Sequence, residues 1–422
     1  PPERPVLAAS FFVAVLTLKV TLHSLKLFAA YGAEVRLKPE TRMPNYSIPA
    51  SFMRGGSSKG LFFHAGDLPI NTTERDRIFL AVMGSPDGYG RQLDGLGGGV
   101  SSVSKVVVVS ASDDGDTDIN YMFGQVAIDR PIVDYSSTCG NLASAVGPFA
   151  INSGLVTADS GETCVRVRDV NTGKVLHAYV ATAEDGKFWE AGEFSIPGVS
   201  GSGSKIRLKF LDPGGATTGK LLPTGNTIDV IEVPGEGAVE MSLVDATTSV
   251  AFAEANRFGL RGTETVAEIE GDGKLMARLD QARRVAAMHM GLAERPEDSP
   301  LGNPKFCLVA PSQPFSTLAG ETIPASAADI SVRFLSMGQM HRVLPLTGAM
   351  CLAAACRIEG TISHANSGSN GGDVRLANPS GVLSLGAKAL KKDDNWMVPS
   401  VTVYRTARVL MEGKVPVPRR PN

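Results

Sequence analysis

The feature that most constrains this chain is a segment almost without polar side chains, residues 143–151. An amphipathic helix can lie on a surface, whereas a helix that is apolar on every side has to be enclosed by other elements. The residues just before it are of the types that cap helix N-termini, namely Ser136, Ser137 and Thr138. The sequence therefore predicts a buried helix that begins at these residues and carries Cys139 in its first turn.

A cysteine at such a position is chemically distinctive. The N-terminus of a helix carries a partial positive charge and free N–H groups, which favour a thiolate and can also hold an anion. This arrangement would combine a proton-transfer group with a binding place for a carboxylate. A buried structural cysteine at a tight turn is the alternative, and the residues alone leave both interpretations open.

Composition narrows the classes of function. The 422 residues are 43% hydrophobic, which is enough for two or three domains with ample cores. The 41 basic and 43 acidic residues nearly cancel and form no basic stripe, so a nucleic-acid partner has no electrostatic support. A small molecule is the expected ligand. The odd number of scattered cysteines, without a CxxC pair or a Cys/His cluster, argues against a disulfide scaffold and a zinc site.

The first 42 residues differ in kind from the rest. Residues 6–18 are nearly all apolar but too few to span a bilayer, so no membrane association is expected. Three interpretations stay open for residues 1–42: translated upstream sequence, a mitochondrial-type leader, and a genuine helix. We exclude them from the fold and expect a cytoplasmic protein, or a mitochondrial one if the leader is genuine.

A serine turn and a lysine are the next candidates for chemistry. Residues 54–60 form a glycine-rich turn between two predicted strands, and Ser57 and Ser58 would present hydroxyl and N–H groups there. Such a turn can bind a carboxylate, although a plain hairpin fits the pattern equally well. Lys105 begins a strongly apolar strand, so its ammonium either reaches solvent or takes part in chemistry.

Two glycine-rich segments are similar to nucleotide-binding motifs, but each lacks a residue that the motif requires. Residues 214–220 have the spacing of a P-loop, but Leu221 replaces the hydroxyl residue that would hold Mg²⁺, and Pro223 prevents the helix that must follow. Residues 95–99 lack the last glycine of a dinucleotide-binding fingerprint, since Val100 stands there. Neither segment supports a nucleotide cofactor.

A faint internal repeat organises the whole chain. Gly124-Gln125, Cys139-Gly140 and Gly154 are matched by Gly338-Gln339, Thr347-Gly348 and Gly360, and each series contains an Ala-rich apolar segment. The repeat predicts two similar domains, residues 43–204 and 205–416, related by a pseudo-twofold axis. Two helix N-termini would then face one cleft.

Several motifs together resemble the PrpF family of isomerases and tautomerases over about residues 43–416. They are residues 53–60, residues 94–98 followed by Ser104-Lys105-Val106, Cys139-Gly140-Asn141, residues 222–225, and His341-Arg342 with Thr347-Gly348. The resemblance implies an α+β, diaminopimelate epimerase-like fold. In that fold two similar domains each wrap a β-barrel around a central buried helix, and the active site lies in the interdomain cleft.

The resemblance also implies a reaction. Related racemases present a cysteine from each central helix, whereas this chain has Cys139 on one and Thr347 on the other. An amino-acid racemase is therefore disfavoured, and an allylic proton shift in an unsaturated di- or tricarboxylate is expected, without a cofactor or a metal. Lys105 and Cys139 are the implied acid/base residues. The implied substrate-binding residues are Arg54, Ser57, Ser58, Gly140, Asn141, Thr347, Gly348, Ser380 and Gly381.

The resemblance leaves the substrate open. The family usually carries His before Pro-Ser-Gly, where this chain has Asn378, so the position bears on which acid is used. Candidate activities are isomerisation of 2-methylaconitate, aconitate or methylitaconate and a 4-oxalomesaconate-type tautomerisation. A non-catalytic role beside an iron–sulfur dehydratase is the alternative from another class. The sequence is compatible with a homodimer but does not determine the oligomeric state.

Overall fold

The computed structural model describes residues 46–135, 138–369 and 371–418. The expectations about residues 1–42, and about Ser136 and Ser137 as capping residues, lie outside these described residues. Within the described ranges, every helix is too short or too polar to cross a bilayer.

The first half alternates strands with two helices. Its elements are β1 (Tyr46–Gly55), β2 (Ser58–His64), α1 (Thr72–Met83), β3 (Lys105–Ala111), β4 (Ile119–Val126), β5 (Val133–Asp134), α2 (Ala143–Asn152), β6 (Gly161–Asp169), β7 (Val175–Thr182) and β8 (Ile206–Leu211). Helix α1 begins after the N-cap residue Asn71, whose side chain accepts the Glu74 N–H. It ends at Gly84, which adopts the left-handed conformation that glycine tolerates best.

The second half has the same alternation with longer final strands. Its elements are β9 (Asp229–Val233), β10 (Gly237–Asp245), β11 (Ser249–Glu254), α3 (Val266–Glu270), α4 (Gly273–His289), β12 (Lys305–Pro311), β13 (Phe315–Ser316), β14 (Thr322–Ile323), β15 (Ile330–Ser336), β16 (Gln339–Met340), α5 (Leu346–Ala355), α6 (Ile362–Asn366), β17 (Asp373–Asn378), β18 (Gly381–Lys392), β19 (Asn395–Arg405) and β20 (Ala407–Val417).

The two halves repeat one order of strand pairings. In the first, β1 and β2 form a hairpin, β3 runs parallel to β2, β4 runs antiparallel to β3, and β6 runs parallel to β4. In the second, β10, β11, β12, β15 and β17 pair in the same order and directions. Helices α2 and α5 occupy equivalent places, each before the last of these strands. The internal repeat expected from the sequence is therefore present.

An ion pair recurs at equivalent places in the two halves. Asp118, just before β4, accepts the Arg166 main-chain N–H at 2.7 Å and its guanidinium Nη2 at 2.6 Å. Asp329, just before β15, accepts the same two groups of Arg375 at 2.8 Å and 2.6 Å. In each half one carboxylate thus ties the strand before the central helix to the strand after it.

One part of the predicted repeat is wrong in register. Gly124 and Gln125 lie inside β4, whereas Gly338 lies in the turn between β15 and β16 with a φ of 74°. Because Leu335 opposes Phe306 as Gly124 opposes Val106, the end of β15 takes the place of the Gly-Gln pair. Gly124-Gln125 and Gly338-Gln339 therefore do not occupy equivalent positions in the two halves, and their similarity in sequence is a coincidence.

Both central helices are enclosed, as their apolar sequences predict. Every residue of α2 from Ala143 to Ile151 is buried, and the side chains of α2 and α5 belong to one continuous apolar core. Glycines allow the closest approaches: a Cβ added at Gly147 would lie 2.8 Å from Val180, and one at Gly348 would lie 2.8 Å from Phe334. Small residues therefore let the strands wrap tightly around each helix.

Strands also cross between the halves. β8 pairs with both β7 and β19, and β20 pairs with β1. The last strand, β20, thereby packs near the first central helix, whereas β18 and β19 pack against the second. The domain limits 43–204 and 205–416 stay a prediction.

Candidate active site

Cys139 lies in a turn before α2 rather than in its first turn. The helix begins at Ala143, and its N-cap residue Leu142 makes no side-chain capping bond. The Cys139 Sγ instead accepts the Leu142 N–H at 3.5 Å, and the Cys139 carbonyl accepts the Ala143 N–H at 2.9 Å. The predicted helix start was therefore wrong by a turn, yet the sulfur has the bonding relation of a capping side chain to the N–H three residues on.

Thr138 is not a helix cap because its hydroxyl is used elsewhere. Its hydroxyl donates to the carboxylate of Asp169 and lies beside the hydroxyl of Tyr121, which donates to the Cys139 carbonyl at 3.1 Å. Burial raises the pKa of Asp169 above its ordinary value and that of Tyr121 well above its own. These buried groups hold the turn that carries Cys139.

Lys105 begins β3 and is only 8% exposed. Its Nζ donates to Gln125 Oε1 at 2.5 Å and lies 4.9 Å from the centroid of the Phe123 ring. The ammonium is thus held by side chains of the neighbouring strand β4. A neutral amide and an aromatic face bind the charge without neutralising it.

Gly60 brings β3, which begins at Lys105, close to the turn that carries Cys139, here called the cysteine turn. A Cβ added there would lie 2.7 Å from the Lys105 carbonyl oxygen and 3.1 Å from Leu142 Cδ1. Leu142 is the residue whose N–H bonds to the Cys139 sulfur. The main chain of Lys105 and the side chain of Leu142, three residues after Cys139, therefore both lie against Gly60.

The serine turn is joined to the cysteine turn through Asn141. The Asn141 Nδ2 donates to Ser57 Oγ at 3.2 Å, and a Cβ at Gly56 would lie 2.4 Å from Asn141 Oδ1. Gly56 has a φ of 52°, so a glycine is required there for both space and conformation. Ser58 is buried beside this turn.

Arg54 supports the serine turn. Its Nη1 donates to the carbonyls of Gly56 and Thr406 and to the Thr406 hydroxyl, each at 3.0 Å. Burial lowers the pKa of Arg54 below its ordinary value, which Glu190 partly opposes. Its predicted contact with substrate stays a prediction.

The N-terminus of the second central helix lies against the cysteine turn. A Cβ added at Gly140 would lie 3.1 Å from Leu346 Cδ2 and 3.6 Å from Met350 Cε, both on α5. Thr347 is half-buried, and its carbonyl accepts the Thr247 hydroxyl at 2.8 Å. Residues of both helix starts therefore meet, as the predicted pseudo-twofold requires.

Next to the serine turn lies a small cavity of about 20 Å³, partly open to solvent. Its polar lining comes from Ser57, Asn378 and Arg405, and its apolar wall includes Ile196 and Leu344. A mixture of apolar wall with a few polar groups is typical of small-molecule sites.

Asn378, which stands where the family usually has His, forms part of the wall of this cavity. Asn378 is 1% exposed, its Oδ1 accepts the Ser380 N–H at 3.1 Å, and its Nδ2 donates to the Gly381 carbonyl at 2.8 Å. The Ser380 hydroxyl donates to the Arg342 carbonyl at 2.6 Å. Asn378 therefore lines the cavity while it shapes the turn, whereas substrate contacts of Ser380 and Gly381 stay predictions.

Sequence reasoning missed Arg405. Strand β19 ends at Arg405 and β20 begins at Ala407, and the Arg405 side chain between them lines the cavity. Burial lowers the pKa of Arg405 to about 10. An arginine at the end of a strand has no distinguishing pattern, so no sequence signal marked it.

Sequence reasoning also missed Lys305, which begins β12 as Lys105 begins β3. Its Nζ donates to the Gly302 carbonyl at 3.1 Å, and burial lowers its pKa to about 8. Burial, and then the charge of Lys305, lower the pKa of nearby His341 to about 4. The second half thus also places a lysine at the mouth of a buried strand.

Two central helices, each wrapped by strands and meeting at their starts, define the diaminopimelate epimerase-like fold, as expected. A family model described as "PrpF protein" matches residues 45–418. The chain belongs to the PrpF family, which confirms the resemblance seen in its motifs and the expected isomerase class.

Named relatives cover nearly the whole chain. A 2-methyl-aconitate isomerase of Shewanella oneidensis is 39% identical over 89% of this chain and 98% of its own length. A 4-oxalomesaconate tautomerase of Pseudomonas putida is 37% identical over 88% and 96%. The crystal structure of a methylitaconate-delta-isomerase superposes with a TM-score of 0.80 at 35% identity, over 88% of this chain and 96% of that one.

Proposed function

We propose that this protein moves a C=C bond within an unsaturated di- or tricarboxylate, such as 2-methylaconitate or aconitate, by an allylic proton shift without a cofactor. The carrying observation is that Lys105 and Leu142 both lie against Gly60, and the Leu142 N–H bonds to the Cys139 sulfur. Asn141 links the same turn to a cavity lined by Ser57 and Arg405. Two proton-transfer groups and a cationic pocket suit a substrate with several carboxylates.

The reaction balances without an oxidant or a reductant. A base takes a proton from the carbon γ to a conjugated carboxylate, and the electron pair of that C–H bond forms a new β,γ double bond. The electrons of the former α,β double bond pass to the carboxylate as a dienolate. An acid then protonates the α carbon, so one hydrogen and one double bond have exchanged places.

Cys139 and Lys105 are the residues proposed to transfer these protons. A positioned acid or base contributes about 10²–10⁴-fold to such a step. The dienolate charge would be met by N–H groups at the starts of the two helices, around Gly140, Asn141, Thr347 and Gly348. Loss of one preorganised donor of this kind costs about 3 kcal/mol.

A tautomerase of the 4-oxalomesaconate type is the second candidate. It uses the same proton movement between an allylic carbon and a conjugated system. The similarity to the Pseudomonas putida protein named 4-oxalomesaconate tautomerase, 37% identical to this chain, supports this candidate. We place the protein in the cytoplasm, or in the mitochondrion if residues 1–42 are a leader, and propose a small-molecule substrate with no nucleic-acid or membrane partner.

Proton NMR in D₂O with aconitate and with 2-methylaconitate tests the proposal. Double-bond migration is expected for the wild type and a fall of at least about 10²-fold for Lys105→Ala and Cys139→Ser. Cys164→Ser is the matched control, because Cys164 is an exposed thiol on β6. Full activity in the Cys139→Ser variant would refute its role, and silence of the folded wild type with every unsaturated acid would favour the accessory role beside an iron–sulfur dehydratase.

A further inference from the structure

Arg405 is a buried cation whose observed acceptors are all neutral. Its Nε donates to Asn141 Oδ1 at 3.1 Å and its Nη1 to the Tyr404 carbonyl at 2.9 Å, and the residue is 5% exposed. Within the described ranges no carboxylate forms an ion pair with it, and burial alone accounts for its shifted pKa. A buried charge without a counter-ion is costly, so such a group needs an anionic partner.

Other buried arginines of the chain are held differently. Arg283 pairs with Asp280 at 2.8 Å, and Arg333 donates to the Glu264 carbonyl at 2.6 Å while it also feels the charge of the Glu264 carboxylate. Arg405 has neither kind of acidic neighbour. This contrast points to a ligand as the missing anion.

The free edge of Arg405 belongs to the cavity. Among the described residues no acceptor bonds to its Nη2, and the side chain lines the cavity together with Ser57. The surrounding wall is largely apolar, with Ile196, Val343 and Leu344. Because a low local dielectric strengthens an ion pair, a carboxylate bound here would interact strongly with the guanidinium.

Ser57 is prepared to assist. Its oxygen accepts the Asn141 Nδ2 at 3.2 Å, so its own hydroxyl proton is available for an anion. Asn141 therefore bonds to both Ser57 and Arg405, and it lies two residues after Cys139. A carboxylate in this place would be held in a fixed relation to the thiol.

We propose that Arg405 and Ser57 bind one carboxylate of the polycarboxylate substrate, with Asn141 as the residue that positions them. The inference rests on the proposed function for its substrate class. It also separates two arginines: Arg54 holds Thr406 and the serine turn, and Arg405, the residue before Thr406, binds the anion.

Calorimetric titration with tricarballylate, a saturated tricarboxylate, tests this without turnover. Arg405→Gln should weaken binding about 10- to 100-fold, as expected for a lost charge-assisted bond. In turnover, KM should rise while kcat changes little, because the bond is made in ground and transition states alike. Arg408→Gln is the matched control, because Arg408 is an exposed arginine paired with Glu190 at 3.3 Å, and its affinity should not change.

A merely structural role predicts a different pattern. It would lower the melting temperature of Arg405→Gln, whereas removal of an unpaired buried cation should leave it unchanged or raise it. For a variant that does not fold, phenylglyoxal labelling of the wild type gives the answer: tricarballylate should protect Arg405 and not Arg408. Unchanged affinity in the folded variant, absent protection, or no tricarballylate binding by the wild type would overturn the proposal.

These outcomes are distinguishable from failure of the proposed function. If the wild type moves the double bond but Arg405→Gln binds tricarballylate normally, the isomerase stands and the inference fails. If binding depends on Arg405 but no acid is isomerised, the anion site stands and the isomerase fails.

Discussion

Gly60→Ala tests whether the contact of Gly60 with β3 and with the cysteine turn governs activity. The new Cβ would lie 2.7 Å from the Lys105 carbonyl oxygen, whereas ordinary contact begins at 3.4 Å, so the two must separate by 3.4 − 2.7 = 0.7 Å. The obstructing atom belongs to the backbone of β3 and cannot rotate away. On the other side, Leu142 Cδ1 at 3.1 Å leaves little room for the turn to absorb the change.

The expected cost appears in both stability and rate. Overpacking of a buried site typically destabilises by about 1–3 kcal/mol. A misplacement of about 1 Å can cost about 10²-fold in rate, so a shift of 0.7 Å at Lys105 should lower kcat by about 10- to 100-fold. No catalytic side chain is altered by this substitution.

Urea unfolding and NMR turnover of the purified variant provide the assay. Gly413→Ala is the matched control, because a Cβ on that strand glycine would meet nothing within 4 Å. It should retain wild-type turnover and stability. If Gly60→Ala also retains both, then the contact at Gly60 does not determine the position of Lys105 relative to the cysteine turn, and the reasoning fails.

Two further predictions concern charge. The folded pKa of Lys305, about 8, lies below the unfolded value of about 10.4, so the folded chain binds fewer protons between these values and this lysine makes stability rise with pH from 8 to 10. Lys305→Met should abolish that rise in urea unfolding at pH 7.5 and 9.5, and an unchanged slope would contradict the buried ammonium. Asp329→Asn should cost more stability than Asp118→Asn, up to about 3 kcal/mol, because its side chain is 7% exposed against 25%. Asp129→Asn is the control, because this side chain is 69% exposed, and its free energy of unfolding should change by less than about 0.5 kcal/mol. Equal losses of stability in all three variants would count against a stabilising role for the repeated ion pair.

The sequence by itself determined the local elements and the class of protein. Residues 143–151 had to become an enclosed helix because they offer no polar face to water, and they did. Lys105 had to begin a buried strand because an apolar run follows it. Family motifs such as the serine turn and Cys139-Gly140-Asn141 are short and contiguous, so they could be read without coordinates.

Only the tertiary structure determined which residues come together at the candidate active site. Helix α2 begins at Ala143, a turn later than predicted, because the Thr138 hydroxyl bonds to buried Asp169, which is distant in sequence, instead of capping the helix. Arg405 joined the site because β19 ends beside Asn141, which lies 264 residues earlier in the chain. Hydrogen bonds and burial between distant segments depend on strand pairing, and no local pattern records which side chain a paired strand will bring to a cavity.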